Sequence, residues 1–313
     1  MHSDWQEIAE PESRELLHAE IKACELLGET PDNKSIYLFR PKVQQGHTPL
    51  LREIGRLREE AFRLVGEGTG LARDVDGFDL YYMHIILWDG ANRDIVGAYR
   101  LCRTAYFYTD ATKPIYTTSL FTYLPASEHI LKSGLELGRS FVQEKYWGSR
   151  SLDYLWSGIA AFLRRHPEYR YLLGAVSISN DLSLHAKEIL VGFYRQYFGA
   201  QVSLTTGEYV TCAKPFYLSE KGKVHVEELF HGLDYKQGFA VLKKQLRYLG
   251  YAVPMLYKQY TELTENGGTQ FLGFNIDPNF NDCIDGLVVV DLTKMTEQKK
   301  KRYDLLNHRV LAQ

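Results

Sequence analysis

The chain has 313 residues, of which 37 are Lys or Arg and 39 are Asp or Glu, so its formal net charge at pH 7 is −2. This balance excludes a general nucleic-acid-binding protein, which would carry a strongly basic surface, and we expect no nucleic-acid partner. The 45% hydrophobic and 24% charged fractions are those of a folded globular protein, and they exclude a disordered or collagen-like chain.

The four cysteines are far apart and form no Cys-x-x-Cys pair, so neither a zinc ribbon nor a thiol redox site is supported. The ten histidines show no metal-ligand spacing, and we predict neither a metal site nor a bound cofactor. The first residues are acidic and lack the apolar segment of a secretory signal. No apolar run approaches the roughly 18 residues that cross a bilayer. We therefore expect a cytoplasmic protein that at most contacts the inner face of the membrane.

The first half of the chain predicts helices and strands in alternation, namely a helix at 12–28 ending at Gly28, a strand at 35–40, a helix at 48–65, and strands at 79–89 and 94–104. Thr48 and Pro49 fit the cap and the first position of their helix. The last two strands are separated by four residues, which predicts a hairpin.

The second half predicts a strand at 135–143, a helix at 150–165, a strand at 171–179, a helix at 182–198, a helix at 231–249 and a strand at 287–292. Helices that alternate with strands after a hairpin predict an α/β (α+β) fold with helices on both faces of a mixed sheet. We divide the chain into an N-terminal helical arm (1–34), a core (35–215) and a C-terminal extension packed on the core (216–313).

Two short motifs carry ionisable groups into predicted strands. His84 and Asp89 have the spacing of a His–Asp catalytic pair, but residues five apart in a strand point to opposite faces, so we expect only a buried strand there. Glu136 and Arg139 are costly to bury unless each finds a partner. They either form ion pairs between neighbouring strands, or they supply a general base on one strand face and an anion-binding arginine on the other.

Further residues in a fixed order favour the second interpretation, namely Arg58 with Phe62, Asp74, Asp79, Arg100 within Val96–Leu101, Glu136 and Arg139. This set resembles the acyl-carrier-protein-dependent N-acyltransferases of the GNAT superfamily, in particular the hemolysin-like group that makes ornithine lipids and glycine lipids. The acyl-homoserine-lactone synthases are more distantly similar. The segments 253–260, which contains Lys258, and 275–281 extend the resemblance to most of the chain.

The resemblance implies a GNAT-like mixed sheet flanked by helices, with a C-terminal extension. It implies that Glu136 is the catalytic base, assisted by Arg139. Arg100 and Arg139 would hold carboxylates, and Asp74 and Asp79 would bind the amino acceptor or brace Arg58. The expected substrate-binding residues are Arg58, Asp74, Asp79, Arg100 and Lys258.

The segment after the 135–143 strand departs from the usual acetyl-CoA loop because it has a single glycine. Its residues Lys145, Gly148, Ser149 and Arg150 are predicted to bind the phosphopantetheine of a carrier protein at a helix N-terminus.

The expected reaction is transfer of a 3-hydroxy fatty acyl group from acyl carrier protein to the α-amine of ornithine or glycine, which yields a lyso amino-acid lipid. Acyl carrier protein and the amino acid are therefore the expected partners, together with a peripheral membrane contact. Two alternatives stay open, namely a signal synthase that lactonises its product and a non-catalytic GNAT module that binds an acyl carrier or a membrane.

Overall fold

The computed structural model describes residues 5–200 and 207–304. The helices are α1 (Arg14–Ile21), α2 (Pro49–Arg63), α3 (Tyr106–Thr109), α4 (Glu128–Lys132), α5 (Ser151–Arg165), α6 (Leu184–Phe198), α7 (Glu220–Phe230), α8 (Tyr235–Tyr248), α9 (Met255–Thr261) and α10 (Glu297–Asp304). The strands are β1 (Glu25–Glu29), β2 (Ser35–Phe39), β3 (Met83–Asp89), β4 (Asp94–Arg103), β5 (Phe121–Tyr123), β6 (Gly134–Val142), β7 (Tyr171–Ile178), β8 (Val210–Cys212), β9 (Thr269–Asp277) and β10 (Cys283–Asp291). Within the described ranges, no helix has both the length and the apolar composition to cross a bilayer.

The chain divides into two compact units, each assembled from separated stretches. The first contains Met1–Ile115, Leu131–Arg170 and Glu297–Gln313, and the second contains Tyr116–Ile130 and Tyr171–Thr296. The predicted division at residues 34 and 215 stays a prediction, because these units join stretches from distant parts of the chain.

The first unit contains a five-stranded antiparallel sheet with the order β1-β2-β3-β4-β6. Directly paired residues of neighbouring strands share a face of the sheet. His84 pairs with Arg100, and Cys102, two residues further along β4, pairs with Glu136. These side chains therefore share one face, which we call the polar face. Ile85 and Tyr99 lie on the opposite face.

Helices cover both faces of this sheet. Helix α5 lies on the apolar face, where a Cβ added at Gly158 would come within 2.8 Å of Ile85. Only a glycine lets the helix approach the strand so closely. Helix α2 contacts β4 and β6 and carries Arg58 toward the polar face. Its N-terminus is capped as expected, because the Thr48 side chain accepts a hydrogen bond from the Leu51 amide.

Helix α10 belongs to this first unit and packs on α5. The rings of Trp156 and Tyr303 stack with centroids 6.4 Å apart, and Arg302 forms a 2.8 Å ion pair with Asp153.

The second unit has a three-stranded antiparallel sheet with the order β7-β10-β9 and a separate ribbon of β5 and β8. Leu120, Phe121, Leu173, Val210 and Leu287 are among the buried residues of its core. Helix α6 packs against α7, α8 and β9.

Most predicted elements are present, with several corrections. The strand predicted at 79–89 begins only at Met83, because Asp79 lies in the capped 3-10 turn Gly77–Leu80. The helix predicted at 12–28 is wrong after Ile21, because 25–29 forms a strand that pairs with β2. The helix predicted at 231–249 is shorter, and it follows α7, which was not predicted. Gly232 separates these two helices with a φ of +70°, a conformation that favours glycine. Strands β5, β8 and β9 and helices α3, α4 and α9 were also missed.

Candidate active site

Glu136 and Arg139 lie on β6 on either side of an irregularity in its pairing with β4. Arg100 pairs with Gly138 and Ala98 pairs with Phe141, so two residues of β6, Arg139 and Ser140, stand opposite one residue of β4. This is a β-bulge, a feature that redirects side chains and is common beside active sites.

Arg139 has a φ of +49°, a conformation that side-chain-bearing residues seldom adopt. Its Nε lies 3.3 Å from Oδ2 of Asp74. The expectation that Glu136 and Arg139 serve opposite strand faces is therefore wrong. The bulge breaks the alternation and directs both residues to one charged cluster, which consists of Arg58, Asp74, Asp76, Asp79, Tyr82, His84, Arg100, Glu136 and Arg139.

Arg58 is the centre of the cluster. It donates two hydrogen bonds to Asp79, of 3.1 and 2.8 Å, and its Nε lies 2.8 Å from Oδ2 of Asp74. It also donates to the backbone carbonyl of Asp74. Its side chain is 1% exposed, so the guanidinium is used entirely within the protein. The alternative that the two aspartates brace Arg58 fits this geometry.

Arg100 has a similar arrangement. One nitrogen, Nη1, donates to Asp76 at 2.7 Å and to Asp79 at 3.0 Å. The guanidinium also lies over the ring of Tyr82, 4.9 Å from its centroid. Because the side chain is 1% exposed, Arg100 has no surface with which to hold an incoming carboxylate. Burial opposes its charge, but Asp79 and Asp76 outweigh burial and raise the pKa of Arg100 well above its usual value.

Asp79 accepts from both arginines and is buried. Burial alone would raise its pKa, yet the charges of Arg58 and Arg100 hold that pKa well below the usual range. Asp76 caps the short 3-10 turn Gly77–Leu80, where it accepts from the Asp79 amide at 3.1 Å while the Asp76 amide donates to Asp79 at 2.9 Å. This reciprocal pair fixes the loop that carries both carboxylates.

His84 is buried beside this cluster, with Nε2 3.9 Å from Oδ1 of Asp79. Neither ring nitrogen has a hydrogen-bond partner among the described residues. Burial, only partly offset by Asp79, lowers its pKa to about 4. The expectation of a buried strand at His84 is confirmed.

Glu136 is buried and accepts a hydrogen bond from the hydroxyl of Tyr82. Burial, followed by the nearby Glu136 charge, raises the pKa of that phenol well above 10, so Tyr82 stays a donor. Arg100, which covers the Tyr82 ring, connects the Tyr82–Glu136 pair to the arginine–aspartate ion pairs.

Three guanidinium groups and four carboxyl groups make up the charged part of this cluster. The most exposed of these seven side chains are those of Asp76, at 27%, and Arg139, at 11%. The cluster therefore offers an accessible carboxylate and an accessible guanidinium. A zwitterionic ligand needs this combination.

Asp76 and Tyr82 were missed from the sequence. Asp76 had a signal, because it stands between Asp74 and Asp79 in a run with three carboxylates. Tyr82 had none, because two adjacent tyrosines precede β3 and the sequence does not tell which one points inward. Tyr81 instead donates to the Pro114 carbonyl at 2.5 Å.

The segment predicted to bind phosphopantetheine follows β6 and precedes α5. Lys145 pairs with Asp94, and Arg150 pairs with Asp153 at 3.2 Å. Gly148 has a φ of +74°, and the Ser149 hydroxyl donates to the Tyr146 carbonyl at 2.6 Å. These contacts order the segment, and its role in binding the donor stays a prediction.

Lys258 lies on α9 in the second unit, where it is exposed and 3.7 Å from Glu262. Its assignment to the substrate site also stays a prediction. In the part of the chain that the structure describes, no group of His, Cys, Asp and Glu side chains is arranged to hold a metal ion.

Comparison with known proteins identifies the fold and the family. Residues 57–157, which include all of the cluster, match the model of an acetyltransferase (GNAT) domain. A glycine N(alpha)-acyltransferase of Bacteroides thetaiotaomicron is 31% identical over 95% of this chain and 89% of its own length. An L-ornithine N(alpha)-acyltransferase of Agrobacterium fabrum is 28% identical over 76% of this chain and 74% of its own length.

Among solved structures, a CoA-dependent acyl-homoserine lactone synthase, BjaI, covers 87% of both chains with a TM-score of 0.37 and 12% identity. The match to the Bacteroides relative spans nearly the whole of both chains, and it confirms both the predicted resemblance and the GNAT-like α/β fold. The alternative of a non-catalytic module is therefore wrong. The chain belongs to the GNAT-type N(alpha)-acyltransferase family and is an acyltransferase.

Proposed function

We propose that this acyltransferase transfers a long, 3-hydroxylated acyl group from acyl carrier protein to the α-amine of glycine. The product would be an N-acyl amino acid, the lyso form of an amino-acid lipid. Glycine is preferred to ornithine because the relative that is matched over 89% of its length bears the glycine name. The observation that carries the acceptor class is the pair of accessible groups, Asp76 and Arg139, beside the buried Glu136.

A free α-amino acid carries an ammonium group and a carboxylate one carbon apart. Arg139 would take the carboxylate through its planar guanidinium fork. The ammonium would lie between Asp76 and Glu136, because their carboxylates attract it. Glycine adds no side chain that would need its own recognition, which fits a site whose most buried charges, Arg58, Asp79 and Arg100, pair with one another.

In the proposed reaction, Glu136 accepts a proton from the ammonium, directly or through one water, and the free amine attacks the thioester carbonyl. The new C–N bond forms as the C–S bond breaks. The second amine proton is lost, and the departing sulfur takes up a proton to leave a free carrier thiol. A positioned base contributes about 10²–10⁴-fold to such a step.

A direct attack is favoured over an acyl-cysteine intermediate. Burial raises the pKa of Cys24 to about 12, and it also raises those of Cys102 and Cys212. Neutral thiols at these positions are poor nucleophiles, because the thiolate is the reactive form.

The test is mass spectrometry of the full chain incubated with 3-hydroxypalmitoyl carrier protein and an equimolar amino-acid mixture. Palmitoyl-CoA and acetyl-CoA serve as competing donors, and Glu136→Gln is the matched inactive control. We expect N-acylglycine from the carrier-protein donor only. A product with ornithine would overturn the acceptor, a product from a CoA thioester alone would overturn the donor, and a lactone would favour the signal synthase.

A further inference from the structure

The Tyr82 hydroxyl donates to the carboxylate that we assign as the base, and Tyr82 offers a substrate even less surface than Glu136 does. Its side chain is among the most deeply buried in the first unit, with 1% exposure. The hydroxyl meets Glu136 at Oε2. A buried carboxylate that receives a hydrogen bond keeps both its orientation and its charge better than one that does not.

Tyr82 is in turn held from two sides. The Arg100 guanidinium lies over one face of its ring, and the Phe78 ring meets it edge to face with centroids 5.8 Å apart. Arg100 is fixed by Asp76 and Asp79, which belong to the same loop as Phe78. The position of the hydroxyl therefore depends on the arginine–aspartate cluster.

We propose that Tyr82 is a positioning residue for the acyl transfer, which holds the Glu136 carboxylate in place through its hydroxyl and transmits to it the rigidity of the Arg100–Asp76–Asp79 cluster. This inference rests on the proposed role of Glu136 as the base. It gives the buried ion pair of Arg100 and Asp79 a function in the reaction, although these two side chains are almost without exposure.

The pH profile of activity can test this proposal, because the pKa values of several ionisable groups of the site lie away from neutral pH. Burial raises the pKa of the Cys102 thiol, and of the phenols of Tyr81 and Tyr82. The pKa values of Arg58 and Arg100 are raised by their aspartates, while that of Asp79 is held well below its usual range.

The cluster also contains His84, with a pKa lowered to about 4, and the charged groups Asp74, Asp76 and Arg139. Tyr82 donates to Glu136. We therefore expect loss of its hydroxyl to move the acid limb of the activity profile.

The experiment compares Tyr82→Phe with the full-length wild type, using the carrier-protein donor and glycine. Phenylalanine keeps the ring between Arg100 and Phe78 and removes only the hydroxyl. We expect kcat to fall roughly tenfold or more, the loss typical of a hydrogen bond to a charged group. We also expect the acid limb of kcat/KM to move up by about one pH unit. The KM values should change little, because Tyr82 has no surface for substrate.

The matched control is Tyr81→Phe, which removes the adjacent phenol that donates to Pro114 and should leave the profile unchanged. A second measurement replaces Tyr82 with 3-fluorotyrosine, which keeps the size of the residue and makes the hydroxyl a stronger donor. The acid limb should then move to lower pH, opposite to the effect of Tyr82→Phe, and this readout does not depend on whether the phenylalanine variant folds.

The outcomes separate the two proposals. If Glu136→Gln abolishes turnover but both Tyr82 variants keep the wild-type profile, Tyr82 is not a positioning residue and the base assignment stands. If Glu136→Gln retains wild-type turnover, the base assignment fails and the role of Tyr82 fails with it.

Discussion

Arg58 and Asp79 share two hydrogen bonds, of 3.1 and 2.8 Å, in surroundings that leave each side chain almost without exposure. Such a pair gains little net stability over an apolar core, since both charges are removed from water. Breaking it is expensive, because the partner charge is then buried alone. We therefore regard these ion pairs as a frame for the site.

Replacement of Asp79 tests this view. Asp79→Asn keeps the shape but leaves Arg58 and Arg100 facing one carboxylate fewer, and we expect it to lower the free energy of unfolding by about 3–5 kcal/mol. Urea denaturation measures this. The control is Asp32→Asn, which breaks an exposed pair with Lys34 and should cost about 1 kcal/mol or less. Equal effects of the two substitutions would contradict the view of a buried frame.

Glu136→Gln tests the base. We expect kcat to fall about 10²–10⁴-fold, because the amide cannot accept the proton. The thermal unfolding temperature should stay close to that of the wild type, since the Gln oxygen can still accept from Tyr82. Wild-type turnover in steady-state assays would show that Glu136 is not the base.

Arg139 has both a proposed role in substrate binding and a strained backbone. Two substitutions distinguish the effect of the side chain from that of the backbone. Arg139→Gly and Arg139→Ala both remove the guanidinium, so both should lower kcat/KM for glycine by similar factors. They differ in backbone cost, because only glycine adopts a φ of +49° without strain. We expect the glycine variant to be the more stable by about 1–2 kcal/mol in urea denaturation.

Ser140, the next residue of the bulge, provides the control. It does not have a positive φ, so Ser140→Ala should be more stable than Ser140→Gly. The same order at Arg139 would show that its backbone is not strained.

We predict that His84 makes the folded protein less stable as the pH falls. Its pKa is about 4 in the folded protein and about 6.5 when unfolded, so the unfolded chain binds more protons between these values. Stability therefore falls as the pH drops from about 6.5 to about 4, by at most about 1.4 kcal/mol per pH unit from this group. His84→Leu should remove this contribution.

The measurement is the free energy of unfolding of both proteins at several pH values in this range. The free energy of unfolding of the wild type should fall toward low pH relative to that of His84→Leu. His47→Gln, at an exposed histidine, serves as the control. Parallel curves for the wild type and His84→Leu would contradict the prediction.

The parts of this fold that follow from local rules could be predicted from the sequence. The Thr48–Pro49 start of α2 and the hairpin of β3 and β4 depend on capping and on a short turn, and both are present. The ordered residues from Arg58 to Arg139, together with the segments 253–260 and 275–281, indicated the family.

Features that depend on register were not predictable. The bulge at Arg139 arises from how β6 pairs with β4, where Gly97 faces the Phe141 carbonyl so closely that an added Cβ would lie 2.4 Å from that oxygen. Strand β9 was missed because its polar residue Asn275 satisfies its hydrogen bonds in the fold, with the Lys214 amide and the Ile276 carbonyl. The spacing of hydrophobic residues in the sequence does not indicate such strand register or such side-chain hydrogen bonds.

The position of α10 has a consequence for synthesis on the ribosome. The site lies between Arg58 and Arg139, yet the unit that holds it also includes α10, whose Tyr303 stacks on Trp156. A chain emerging from its N-terminus has made every residue of the site long before residues 297–304 appear, and most of the intervening stretch, Tyr171–Thr296, belongs to the second unit. The surface of α5 that α10 covers in the folded protein therefore stays uncovered until more than a hundred further residues have been made.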